Sequence, residues 1–274
     1  MRASGGAIAG GGGLIAILIT LFIAFTGGGG GGGLGDVLGQ LETGAPVGGG
    51  QDVQGGTGGE ADDETEDFMR AVMNDLVAFW SAQGIEGYRP TTLVLFAGAV
   101  DTGCGRATSA VGPFYCPADE HAYLDVEFFQ ELHDRFGAPG DFAQAYVIAH
   151  EFGHHIQNVQ GISDQVHQAP QSDQQGAEGL SVRLELQADC YSGLWAHSIF
   201  GEGSGEDVSI TEEDISEALD AAAAIGDDRI QEQAGVGVNP DTWTHGSSEQ
   251  RVEWFRRGFD GGELGLCDTF RSEI

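Results

Sequence analysis

The chain has 274 residues and a formal charge of −32, from 43 acidic against 11 basic residues. Every basic residue is Arg, and a surface so acidic repels nucleic acid and anionic membrane, which excludes a nucleic-acid-binding role. The length suffices for one good-sized domain with appendages, and many of the 47 glycines fall before residue 60, in the stretch least able to fold.

Residues 1–6 are expected to be a short cytoplasmic tail, with Arg2 as the one side-chain charge. Residues 7–26 carry no charge and centre on the run LIAILITLFIAF at 14–25. Twenty residues of helix at about 1.5 Å each just cross a hydrocarbon core of roughly 30 Å, which predicts a transmembrane helix. Arg2 on one side and the acidic remainder on the other put the amino end in the cytoplasm. A cleaved signal peptide is the competing reading, because the densest apolar run is short. Either way the bulk of the chain is expected outside the cytoplasm. Residues 27–61 are Gly-rich and predict a disordered tether, interrupted by a brief apolar patch at 34–41.

The folded domain is expected over residues 62–274. Phe68, Val72, Leu76, Phe79 and Trp80 recur at a helical period within 66–83, with Gly84 as a stop. Residues 91–97 (TTLVLFA) predict a core strand. A Gly-rich loop holding Cys104 and Cys116 follows, then a second strand at 122–126 (AYLDV), put forward as the sheet edge along which an extended peptide would lie. A short helix is expected at 128–136 and a longer one at 143–160, with Asp141 as its N-cap. Residues 162–177 read as a Gln-rich loop, 178–200 as a long helix, and 211–225 as another opened by a capping pair, Thr211 with Asp214. Residues 226–246 read as irregular, and 248–259 as a final amphipathic helix. The fold class is α+β, mainly helical with a small mixed sheet.

The helix at 143–160 contains His150-Glu151-Phe152-Gly153-His154. Residues four apart share a helix face, so His150 and His154 present two imidazoles to one point, with Glu151 beside them. That is the H-E-x-x-H pattern of a zinc hydrolase, in which the acid acts as general base. Two imidazoles leave a catalytic zinc site one protein ligand short. The chain has Gln157 and Gln160 where a metzincin would carry its glycine and third histidine, which removes that class. Downstream, Glu185 and Asp189 lie four apart on the next long helix. Glu185 is the candidate third ligand, and Asp189 the acceptor for the outward N–H of a ligand histidine. Glu178 is a fallback ligand, and an exposed polar stripe is the plain alternative.

HEFGHH followed by ELQAD resembles the gluzincin zinc peptidases with an E-x-x-A-D second motif, including membrane CAAX-type proteases. The arrangement DTGCG, ATSAVGPFYCPADEHAYLD, AHEFGHHIQN, ELQADCYSGLWA and THGSSEQRVEWFRRGF is similar to the neutral zinc metallopeptidase family of bacterial single-pass membrane proteins. The likeness runs over roughly residues 62–270. It implies a zincin-like fold, one catalytic Zn²⁺ and a peptide or protein substrate. Residues 244–251 resemble the T-H-P-x-x-x-x-R segment of CAAX-type enzymes, which implies that His245 donates to the oxyanion of the reaction, with Gly246 where those relatives carry Pro. Capping of the last helix by His245 is the alternative. Arg251 is expected to pair with a carboxylate, and His155 to pack or support.

Four cysteines in an exported domain suggest two disulfides among three connectivities. Cys104–Cys116 would close the Gly/Pro-rich loop, and Cys190–Cys267 would tie the chain end to the helix carrying Glu185. Cys190 as a zinc ligand is the alternative. Three functions remain open at this point: a membrane-anchored zinc peptidase, an amidase of cell-wall peptides, and an idle binding domain that keeps zinc for structure. An intact Glu151 weighs against the last.

Overall fold

The computed structural model describes residues 63–134, 137–200 and 210–274. The expected transmembrane helix at 7–26, the tether at 27–61 and its apolar patch lie outside the described residues. Among the described residues no helix is long and apolar enough to cross a membrane.

Helix α1 (Asp63–Ala82) buries Met69, Val72, Leu76 and Trp80, a stripe spaced three and four apart. Phe68 and Phe79, expected on that stripe, pack partly buried at its margins. Strand β1 (Thr92–Phe96) comes next, then a hairpin of β2 (Ala99–Thr102) and β3 (Gly105–Thr108). Strands β4 (Phe114–Cys116) and β5 (His121–Asp125) complete a three-stranded sheet of order β1-β5-β4. Thr92 stands opposite His121 in the parallel β1–β5 pair, and Phe114 opposite Tyr123 in the antiparallel β4–β5 pair. The second strand is therefore central, which overturns its expected place as a peptide-binding edge. Both of its ladders are already occupied, and in this sheet only β1 and β4 keep a free edge among the described residues. The Cys104–Cys116 disulfide ties the β2–β3 turn to β4.

After α2 (Phe128–Asp134) comes the motif helix α3 (Asp141–Val159), buried without a break from Ala145 to Gln157. Gly140 occupies its N-cap and Asp141 is the first helical residue, which corrects the expected cap. The Asp141 carboxylate still lies in the first turn, where the helix dipole favours it. The stretch expected as a Gln-rich loop holds two short helices, α4 (Ile162–Gln168) and α5 (Gln171–Gln174). They are fixed by tertiary contacts: Val166 is buried, and the Gln174 amide donates to the Val166 and Ala169 carbonyls.

Helix α6 (Leu180–Ser198) is buried continuously from Leu184 to Ala196. Helix α7 (Glu212–Ala224) opens on the expected Thr211/Asp214 capping box. Helix α8 (Asp227–Gln233) falls in the stretch expected to be irregular; it buries no side chain, so it shows no apolar period. Helix α9 (Ser248–Gly261) opens on a capping box of Ser247 and Gln250.

Glycines set how closely α3, α6 and α9 approach. A Cβ at Gly153 of α3 would stand 3.1 Å from the Ala188 Cα of α6. On the other side of α6, a Cβ at Gly193 would come 2.0 Å from the Phe255 carbonyl oxygen, and one at Gly258 equally near that of Cys190. Each backbone fills the space that the other's missing side chain leaves, and α6 is held between the two helices. The Cys190–Cys267 disulfide fastens the 3-10 turn Leu264–Cys267 onto α6.

Candidate metal centre

The Gly153–Ala188 crossing brings the α3 histidines against the acidic stretch of α6. His150 and His154 stand one turn apart, their ring centroids separated by 4.7 Å and their planes nearly perpendicular. Glu185 reaches both: its Oε2 lies 3.1 Å from His150 Nε2, and its Oε1 lies 3.5 Å from His154 Nε2. One donor atom from each of the three residues falls within 4.8 Å of the others, and all three side chains are buried. Glu178 is exposed ahead of α6 and takes no part in this cluster. Cys190 is held in its disulfide, so its thiolate is not a ligand.

The outer nitrogens are held as well. His150 Nδ1 lies 2.9 Å from Asp189 Oδ1, the partner expected from the four-residue spacing. Asp189 is fully buried. It accepts from Arg251 Nε at 2.8 Å, from Arg251 Nη2 at 2.9 Å and from the Tyr146 hydroxyl at 2.5 Å. His154 Nδ1 lies 2.8 Å from Gln157 Oε1.

These contacts test whether the residues fit a metal ion. A carboxylate and an amide oxygen only accept, so each ring carries a proton on Nδ1 and turns Nε2 toward Glu185. With neutral rings, two lone pairs would face the oxygens of one carboxylate with no hydrogen between them. Either extra protons or one cation relieves that repulsion. Two imidazoles and a carboxylate, with a fourth position open, are a catalytic zinc donor set. The residues fit the ion.

Without the ion, protons take its place. Burial opposes charge on His150, but Asp189 and Glu185 outweigh it and lift its pKa to about 9. His154 is raised in the same way, with Glu185 overcoming burial. Burial acts against ionised Glu185 too, yet the two imidazoles hold it well below the usual carboxylate range. Asp189 resists burial through Arg251 and His150, and its pKa falls to about 2. Glu151 differs from these. Its carboxylate makes no hydrogen bond or ion pair to a described residue, and burial pushes its pKa up.

His245 sits on the loop between α8 and α9. Its Nδ1 lies 3.1 Å from Asp227 Oδ1, and Asp227 Oδ2 accepts the main-chain N–H groups of Thr244, His245 and Gly246. Burial works against its charge, but Asp227 raises its pKa, with a smaller contribution from Glu185. A Cβ on Gly246 would meet Val182 and Leu186, so this loop lies against α6 on either side of Glu185. Gly246 has φ +89, a conformation closed to proline, so the loop departs from the T-H-P form. Ser247, rather than His245, caps α9. His155 packs away from the centre, between the Tyr115 hydroxyl at 2.9 Å and the Arg89 carbonyl at 2.7 Å.

Tyr146, Gln157 and Asp227 also belong to the site, and the sequence alone does not single them out. Tyr146 stands one turn before His150 on the same helix face, which is a usable signal. Gln157 follows His154 by three residues and looks like any polar surface position. Asp227 precedes His245 by 18 residues, in a stretch with no periodicity to place it.

Two relatives are similar over most of their length, though their printed names assign no activity. "Uncharacterized protein YpfJ" of Escherichia coli K12 is 44% identical over 238 residues, covering 85% of this chain and 80% of the relative. "Uncharacterized protein Rv2575" of Mycobacterium tuberculosis H37Rv is 46% identical over 220 residues, covering 78% and 73%. No solved structure matches the chain. The family model described as "Putative neutral zinc metallopeptidase" matches residues 1–270, a span that takes in both histidines of α3, Glu185, Asp189 and His245. On that match, the chain belongs to the neutral zinc metallopeptidase family.

Proposed function

We propose that the protein is a zinc-dependent peptidase in which Glu151 is the general base. The observation that carries this is the position of the Glu151 carboxylate: it is buried beside the His150/His154/Glu185 cluster with no hydrogen-bond or ion-pair partner among the described residues. A centre that only braced the fold would have no use for an acid left in that position.

Bound zinc supplies Lewis acidity, which polarises a carbonyl oxygen and acidifies water. His150, His154 and Glu185 would hold the ion. Glu151 takes a proton from the water that attacks the peptide carbon and passes it to the leaving amine. Burial has already lifted its pKa, which suits both steps. His245 keeps one N–H on Asp227 and, held protonated by that carboxylate, presents a second N–H to the substrate oxygen as negative charge builds there. An extended peptide would pair along β4, an outer strand of the sheet that precedes α3.

The protein would act outside the cytoplasm, anchored by residues 7–26 and held off the membrane by residues 27–61. Two disulfides support that reading, since such bonds persist in oxidising compartments.

The test is a peptidase assay on the full-length chain with and without chelator, beside the Glu151→Gln variant. The variant should bind one zinc and lose activity by about 10²–10⁴-fold, the contribution typical of a positioned acid–base group. Full activity in that variant would remove Glu151 as the base. A wild-type chain with no stoichiometric metal would end the peptidase reading.

A further inference from the structure

The two ligand histidines donate their outer hydrogen bonds to unlike acceptors, and the one from His154 does not end at Gln157. Gln157 is completely buried, and its Nε2 donates to the Leu184 carbonyl at 2.6 Å and to Gln187 Oε1 at 3.2 Å. Gln187 is buried too, and its own Nε2 donates to the Cys267 carbonyl at 3.0 Å. Cys267 is fastened to α6 through its disulfide with Cys190.

A main-chain carbonyl can only accept. The Cys267 carbonyl therefore fixes which end of the Gln187 amide faces it, and the Gln187 oxygen must point back at Gln157. Gln157 then turns its NH₂ toward Gln187 and Leu184, which leaves its oxygen for His154. An amide oxygen can only accept, so the proton of His154 is forced onto Nδ1 and the lone pair onto Nε2, the atom that faces Glu185.

We propose that Gln157 and Gln187 are positioning residues: a buried amide relay, anchored on the Cys267 and Leu184 carbonyls, that fixes the tautomer in which His154 can bind zinc. The proposal rests on the metal-centre reading for its purpose. Its geometry concerns this chain's own atoms alone. If the relay is broken, nothing prevents the ring from placing its proton on Nε2, where it donates to Glu185 and closes the ligand position.

The test uses the full-length chain and the variants Gln157→Met and Gln187→Met, which keep the length of the side chain and remove its polar end. Zinc affinity is measured by chelator competition. The His154 tautomer is read by nitrogen NMR of isotope-labelled histidine rings in the metal-free chain at alkaline pH, with the signal assigned by loss in His154→Gln. Wild type should carry the proton on Nδ1. Gln157→Met should lose about 10–100-fold in zinc affinity, as outer partners of ligand histidines typically do, and move the proton to Nε2. Gln187→Met should show a smaller loss in the same direction, because Leu184 still holds Gln157.

A wild-type ring with its proton on Nε2 would overturn the relay whether or not either variant folds. So would a folded Gln157→Met that binds zinc as wild type does and keeps the Nδ1 proton. A wild-type Gln187→Met would cut the relay short at Leu184 and overturn its anchorage on Cys267. Should wild type bind no zinc, the metal-centre reading fails, and the tautomer still decides the relay.

Discussion

His150 and His154 lie one turn apart on one helix, yet the molecule braces them by opposite means. The His150 side is ionic: Asp189, Arg251 and Tyr146 form a fully buried cluster between α3, α6 and α9. The His154 side is neutral, two amides ending on main-chain carbonyls between α3, α6 and the C-terminal turn. The difference concerns charge. Arg251 cancels Asp189, and Gln157 adds nothing, so of the supporting groups none reduces the net positive charge of an ion held by Glu185. A second carboxylate on the His154 side, with no arginine to offset it, would weaken the electrophile that the reaction needs.

Breaking the ionic side should cost most. Arg251→Met leaves Asp189 buried without its cation, and removing one partner of a buried pair typically costs about 3–5 kcal/mol. Denaturant unfolding of the metal-free chain measures the loss. In the double variant Arg251→Met/Asp189→Asn much of it should return, because no uncompensated charge remains. A double variant as unstable as the sum of its parts would show that Arg251 acts through packing alone.

Breaking the neutral side should cost less. Gln157→Met removes the amide without adding a charge, so the Leu184 carbonyl and Gln187 oxygen lose their partner. A buried group left without its hydrogen bond costs about 1–3 kcal/mol, to be read from the same unfolding curves. Stability equal to wild type would mean that these amide hydrogen bonds are immaterial to the fold.

The pH dependence should separate the two states of the centre. His150 has its pKa raised to about 9 by the neighbouring carboxylates, against an ordinary value of about 6.5. Its protonation therefore stabilises the metal-free fold fully below pH 6.5, and that stability is lost as pH rises toward 9. Zinc needs the same nitrogens deprotonated, so its affinity should climb over the same window. Thermal unfolding of the metal-free chain should fall across that interval while zinc affinity, by chelator competition, rises. Parallel slopes would mean that the proton and the metal do not compete for the same atoms.

The ionic side was also the legible one. H-E-x-x-H fixed His150, Glu151 and His154 because a helix turns four-residue spacing into a shared face, and the same spacing tied Glu185 to Asp189. Carboxylates and histidines are rare inside a protein unless paired, so their pattern carries information. Glutamines carry little, and Gln157 and Gln187 differ from surface residues only once the crossing of α3 and α6 is known. Strand order was hidden for a related reason: alternation tells which face a residue takes, and says nothing about which strands lie beside it. The near-continuous burial of His121–Asp125 is the mark of a central strand, and it is visible only in the fold. The disulfides followed from loop closure and chain-end logic, and both pairs formed as expected.

A third histidine sharpens the comparison at the smallest cost. His245, like His150, has a carboxylate on Nδ1, but it ligates nothing in the cluster, so its brace should govern charge without governing metal. Asp227→Asn retains an oxygen for the three loop N–H groups and removes the negative charge that raises the His245 pKa. In the proposed role His245 serves in its protonated form, so activity should fall as pH rises through its pKa. Lowering that pKa must shift the alkaline limb of kcat toward lower pH. Zinc affinity should stay as in wild type, whereas Asp189→Asn should weaken it by about 10-fold or more, as for other partners of a ligand histidine. A pH profile of kcat and a chelator titration on the two variants decide the matter. If Asp227→Asn releases zinc and leaves the alkaline limb in place, His245 belongs to the metal's support and has no part in receiving the substrate's charge.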